Sequence, residues 1–143
     1  MKVLALDLEG TLISNAVSVF PRPGLFEFLE YCRKNFDRIV VMTAVSERRF
    51  REVAQLLADE ASAPAWFCVI EYIEWDGEYK DLRAISTCRP SDVLLVDDQF
   101  SYVHPDQIDR WIEVAEFRPP YSTEDTGLKD VVRRLAQHLV KEE

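Results

Sequence analysis

Val3-Leu4-Ala5-Leu6-Asp7-Leu8-Glu9-Gly10-Thr11 runs from four consecutive apolar residues into two carboxylates, a glycine and a hydroxyl. An apolar run without polar alternation reads as a strand buried on both faces, the habit of parallel sheets. Gly10 permits the tight turn that takes the chain out of the sheet. The same pattern recurs further along. Arg38-Ile39-Val40-Val41-Met42-Thr43 reads as a second buried strand, and Trp66 to Ile73, rich in aromatic and β-branched residues, as a third. Asp92-Val93-Leu94-Leu95-Val96-Asp97 is a fourth, again ending in acid, and Trp111-Ile112-Glu113-Val114 a shorter fifth.

Helical patterns fill the intervals. The breaker cluster Phe20-Pro21-Arg22-Pro23-Gly24 precedes Leu25, Phe28, Leu29 and Cys32 at helical spacing. Ser46 is placed to cap a helix with Phe50, Val53, Leu56 and Leu57 on its dry side and Arg48, Arg49, Arg51 and Glu52 on its wet side. Asp76-Gly77 signals a turn, and Asp81 to Ile85 a short helix. After Pro119-Pro120, Thr123 is expected to cap a terminal helix with Leu128, Val131, Val132, Leu135 and Leu139 along one stripe. Strands separated by helices predict an α/β fold built on a doubly wound parallel sheet, with residues 1–143 as a single domain.

Composition narrows the function classes. The net charge of −9 lacks the electrostatic footprint of a nonspecific duplex or anionic-membrane binder, so nucleic acid is an unexpected partner. No apolar run approaches the roughly 18 residues of a membrane span, and no signal peptide is recognisable. Cys32, Cys68 and Cys88 are widely spaced and odd in number. That argues against a disulfide framework or a zinc site and for buried or half-buried thiols in a reducing cytoplasm.

In a doubly wound sheet, ligands bind outside the carboxyl ends of the strands. Asp7 with Glu9, Thr43, Lys80 and Asp97-Asp98 all fall at those ends or in the loop beyond. Any one of them alone would read as a turn, a cap or a solvated charge, but their convergence on one rim points to a site. Clustered carboxylates repel unless a cation or proton sits between them. Asp7, Glu9 and Asp98 would offer the hard oxygen ligands that Mg²⁺ prefers, with waters and a phosphate completing the shell. Thr43 can donate to a phosphoryl oxygen, and Lys80 can bring positive charge to both the phosphoryl group and the acids.

Asp7-Leu8-Glu9-Gly10-Thr11 resembles the first motif of the haloacid dehalogenase (HAD) superfamily, D-x-D-x-T after an apolar strand. Thr43, Lys80 and Asp97-Asp98 are similar to its second, third and fourth motifs. A closer resemblance is to the FCP/SCP-type phosphatases, which act on the C-terminal domain of RNA polymerase II. It rests on Arg22-Pro23-Gly24 with Phe28-Leu29, on Thr43-Ala44, on Tyr79-Lys80-Asp81-Leu82 and on Val96 to Asp106. The chain departs from that pattern at Glu9, where the family has a second Asp, in the short Thr11–Arg22 interval, and at Gln99-Phe100 in place of Ser-Pro.

The resemblance implies a Rossmann-like three-layer sandwich with little or no cap. It implies a Mg²⁺-dependent phosphomonoester hydrolase whose catalytic residues are Asp7, Glu9, Thr43 and Lys80. Asp7 would be the nucleophile that forms an aspartyl-phosphate, and Glu9 the general acid and base. The metal would be held by Asp7, the main-chain carbonyl of Glu9 and Asp98, with Asp97 orienting Lys80 or a metal-bound water. The phosphorylated substrate would be a protein or a small metabolite. A noncatalytic phosphate-binding or interaction module, with Glu9 as the lesion, is the competing reading. Arg48, Arg49 or Arg51 could meet a second anionic group of the substrate, Tyr72 or Trp75 could line its entrance, and His104 reads as a loop histidine bonded to backbone.

Overall fold

The computed structural model describes residues 1–142. Five strands, β1 (Val3–Leu6), β2 (Arg38–Val41), β3 (Glu71–Tyr72), β4 (Val93–Asp97) and β5 (Trp111–Glu113), form one all-parallel sheet in the order β3-β2-β1-β4-β5. Three α-helices accompany it: α1 (Leu25–Asn35), α2 (Glu47–Asp59) and α3 (Gly127–Lys141). The chain winds outward from β1 to β3, then crosses back to β4 on the far side of β1, as the doubly wound reading predicts.

Alternation along β1 divides the core. Leu4 and Leu6 enter the larger cluster with α1, α2 and α3, while Val3 and Ala5 enter a smaller one on the other side. Right-handed crossovers put connections that wind in opposite directions on opposite faces. The return from β3 to β4 carries no α-helix. Its cover is Ile73, Leu82 and Ile85 from a run of turns that includes the 3-10 turn Leu82–Ala84. The third layer is therefore thin.

Several local expectations need correction. Trp66–Ile73 is not one strand. Ala65–Val69 forms a 3-10 turn after Pro64, and only Glu71–Tyr72 pairs with β2. Packing overrides propensity here, because the Phe67 ring meets Phe50 edge-on at 5.5 Å and a straight strand would carry it off. On α2, Leu56 is 42 % exposed and Ala54 is buried in its place. The terminal helix begins after Thr126 rather than after Thr123, and the Thr126 side chain makes no capping hydrogen bond. The side chain of Asp125 accepts from Gly127 N while also binding Arg22, and Asp125 N donates to Ser122 O, so residues 122–125 form a turn before the helix starts. Ser46 caps α2 through Arg49 N, and the three cysteines are free, Cys32 buried and the other two half-buried.

Candidate active site

The register β1–β4 pairs Leu6 with Val96, so Asp7 and Asp97 leave neighbouring strands side by side, at the point where the winding direction reverses. Asp7 N donates to Val96 O, 3.0 Å, fixing its backbone. β2 ends two residues before Thr43, on the other flank of β1. Lys80 arrives from the thin third layer, its N–H donating to Tyr102 O, 2.7 Å.

Lys80 is 1 % exposed, and its ammonium donates to Asp7 Oδ1 at 2.8 Å and Asp97 Oδ2 at 2.6 Å. It also lies 5.5 Å from the Trp75 ring and 5.3 Å from the Tyr102 ring, which meet edge-on. Burial alone would push the Lys80 ammonium to a lower pKa, but the two carboxylates outweigh it and hold the group charged. An unpaired buried ammonium costs several kcal/mol, whereas each charge-assisted bond contributes roughly 1.5–3 kcal/mol. Two such bonds with aromatic faces behind them are enough to keep it there.

Asp7 shows the opposite balance. Burial raises its pKa well above the ordinary carboxylate value, Lys80 opposes this, and the nearby charge of Asp97 adds to the rise. Burial also raises Asp97, again against Lys80. The hydroxyl of Thr11 lies 2.7 Å from Asp7 Oδ2 and 3.1 Å from Asp98 Oδ1, bridging the first and fourth motifs. Carboxylate oxygens of Asp7, Asp97 and Asp98 lie within 4.8 Å of one another. Three carboxylates share one ammonium, ionised acids this close repel unless a cation joins them, and the donor set is all hard oxygen, so a divalent metal ion fits.

The two adjacent acids are not equivalent. Asp97 is fully buried, with its oxygens engaged by Lys80 Nζ and Gln99 N. Asp98 is half-buried and faces a cavity of about 380 Å³ that Asp7, Glu9, Thr43 and Tyr102 also line. A cavity of about 630 Å³ lies elsewhere, between α1 and the start of α3, and holds none of these residues. Size does not decide the matter, because the convergent titratable groups sit in the smaller one.

Thr43 is buried, its hydroxyl accepting from Val45 N at 3.1 Å, which leaves its proton to give. The Trp75 indole donates to Thr43 O, 2.9 Å, and holds that strand end from below. The carboxylate of Glu9 stands apart from the three-acid cluster and accepts from Ala16 N, 2.8 Å. Arg49 donates to the carbonyl of the same Ala16, 2.5 Å, and Arg51 to the carbonyls of Cys68 and Ile70. None of Arg48, Arg49 and Arg51 lines the cavity; the arginine that does is Arg118. Tyr72 and Trp75 line an adjoining pocket of about 310 Å³ that shares Thr43 and Ala44. His104 Nδ1 accepts from Asp106 N, as a loop histidine should.

Arg22 is also part of the frame. It is 1 % exposed, pairs with Asp125 at 2.7 Å and donates to the carbonyls of Gly10 and Thr11. The motif loop is thereby held from behind. The order of motifs along the chain and this frame agree with one comparison: the profile of the NLI interacting factor-like phosphatases matches residues 2–143. The chain belongs to that family. This is the FCP/SCP branch of the HAD superfamily, and its members are phosphatases, so the reaction class is hydrolysis of phosphoric monoesters. No curated protein matches the chain. No helix among the described residues is long and apolar enough to cross a membrane.

Proposed function

We propose that this family member is a Mg²⁺-dependent phosphomonoester hydrolase working through a phosphorylated Asp7. The observation that carries the reading is the placement of Asp7 between Lys80 and Thr11 at the floor of the cavity shared with Asp98 and Thr43. Asp7 and Asp98, with the main-chain carbonyl of Glu9, would hold Mg²⁺, whose charge would offset that of the phosphoryl oxygens. Asp97 keeps Lys80 in place rather than facing the ligand.

A carboxylate oxygen of Asp7 attacks phosphorus, and the bond from phosphorus to the ester oxygen breaks. Glu9 gives its proton to that departing oxygen. Thr43 donates to a phosphoryl oxygen, and the Lys80 ammonium keeps Asp7 aligned and favours its ionised form against the effect of burial. Water then attacks the aspartyl-phosphate while Glu9 takes back a proton, releasing inorganic phosphate and restoring Asp7. The leaving group is an alcohol of a small metabolite or a protein side chain. The charge of −9 disfavours nucleic acid, and three free cysteines suit a reducing cytoplasm.

The test is hydrolysis of p-nitrophenyl phosphate with Mg²⁺, which Asp7→Asn should abolish without altering the circular dichroism. Calorimetric titration should show Mg²⁺ binding that Asp98→Ala weakens at least tenfold. An inactive native protein, or an Asp98→Ala protein with unchanged Mg²⁺ affinity, would remove the proposal.

A further inference from the structure

The charged lining of the 380 Å³ cavity is uneven. Among the described residues that line it, Asp7, Glu9, Asp98 and Glu116 supply four carboxylates, and Arg118 is the one cation. Lys80 is committed beneath them to Asp7 and Asp97. The Arg118 side chain is exposed and, among the described residues, forms neither an ion pair nor a hydrogen bond.

Its backbone, by contrast, is fixed. Phe117 N donates to Gly10 O, 2.8 Å, and the Phe117 ring lies under the Arg22 guanidinium at 5.4 Å. Tyr121 N donates to Arg118 O at 3.0 Å and closes a turn. The Tyr121 ring packs against Phe117 at 5.1 Å and Phe20 at 5.4 Å. A guanidinium on an anchored rim, free of the surrounding carboxylates, is available to a ligand.

We infer that Arg118 forms a subsite for a second anionic group. The substrate class is then a phosphomonoester whose leaving-group portion carries a carboxylate or another phosphate close to the scissile ester. This rests on the phosphatase reading of the same cavity and adds its specificity. The scissile phosphate is served at the floor by Asp7, Thr43 and the metal ligands, whereas Arg118 stands on the rim beside the leaving group. Glu116 repels a further negative charge on that rim, whereas Arg118 attracts one, so the position is selective as well as attractive. The planar fork of arginine matches carboxylate and phosphate oxygens two at a time. A cavity of this size requires the two anions to be only a few bonds apart. The adjoining pocket beyond Thr43 is lined by Glu74 and Asp76 with no cation, so it does not compete for the same group.

The experiment compares phenyl phosphate with 4-carboxyphenyl phosphate on the native protein and on Arg118→Gln. The native protein should favour the carboxylated ester. Arg118→Gln should cut the ratio of the two kcat/KM values by about 10–100-fold, the worth of one charge-assisted pair, mainly through KM. An equal loss on both esters, or no loss on either, would overturn the subsite. A calorimetric arm separates this failure from failure of the phosphatase reading. Benzylphosphonate and 4-carboxybenzylphosphonate, which are not hydrolysed, should show the same Arg118-dependent preference whether or not the protein turns over. Absence of that preference overturns the inference even in an active enzyme. Two phosphoserine peptides differing only in Glu or Gln beside the phosphoserine identify the source. A Glu preference lost in Arg118→Gln points to protein substrates, and a preference confined to the small esters points to metabolites.

Discussion

Glu9 differs from Asp7 in what its carboxylate already touches. One oxygen accepts the Ala16 amide, a contact that needs only an acceptor and not a charge. Glu9→Gln can retain it through the amide oxygen, so the loop keeps its shape while the acidic proton is lost. Turnover of alkyl phosphates should then fall by ~10²–10⁴-fold, and that of p-nitrophenyl phosphate by less, since nitrophenolate leaves without protonation. Equal rates for the two proteins on an alkyl ester would end the proton-transfer role of Glu9. At this scale the acids, Thr43 and Lys80 were legible because each follows a recognisable strand or turn. Thr11 stands in the sequence as the last residue of the D-x-D-x-T resemblance, but nothing there shows its hydroxyl bridging Asp7 and Asp98. Arg118 had no signal there: it lies in a loop just before Pro119-Pro120, and only the fold decides which loop overhangs the cavity. The arginines of α2 follow Thr43 closely in sequence, yet Arg49 and Arg51 are occupied by carbonyls of neighbouring loops.

The element that matters most is the turn leaving β1. Gly10 has φ of +76°, a left-handed conformation that costs other residues roughly 1 kcal/mol or more. A Cβ there would lie 2.4 Å from Asp98 Oδ2. Gly10→Ala should therefore push the Asp98 carboxylate aside and lower the thermal midpoint together. The measurements are Mg²⁺ affinity by calorimetry, expected to drop at least tenfold, and a melt, expected to show a loss of about 1–2 kcal/mol. Native-like Mg²⁺ affinity in this variant would mean that Asp98 can move without cost. The strands around this turn were readable from their apolar runs, with β1, β2, β4 and β5 close to their expected places. The third strand was not. Its aromatic residues advertised a strand, but Phe67 serves the helix face of the sheet, and pairing was left to Glu71 and Tyr72.

Across the whole molecule, Arg22 and Asp125 tie the beginning of the fold to its end, 103 residues apart in sequence. Burial would raise the Asp125 pKa, but the hydrogen bonds from Arg22 and Gly127 N and the charge of Arg22 overcome this and hold it below the ordinary value. The sign follows from that direction. A depressed native pKa stabilises the fold fully above the unfolded value near 3.9, and the contribution disappears as pH falls through the native one. The melting temperature should decline from pH 5 to pH 3. Asp125→Asn should begin lower, by about 3 kcal/mol at neutral pH because Arg22 loses its countercharge, and should decline less steeply. Parallel pH profiles for the two proteins would show that this pair does not set acid stability. The parallel sheet and its winding could be read from residue order, whereas this long tie could not, since neither partner stands in a strand or helix pattern. The tie also bears on the protein's birth. The motif loop is held from behind by Arg22, Phe117 and Asp125, so a nascent chain still inside the ribosome at residue 116 has nothing to close that loop against. At roughly 5–20 residues per second, about 6–24 seconds separate the synthesis of Asp7 from that of Asp125, and the motif loop waits at least that long for its support.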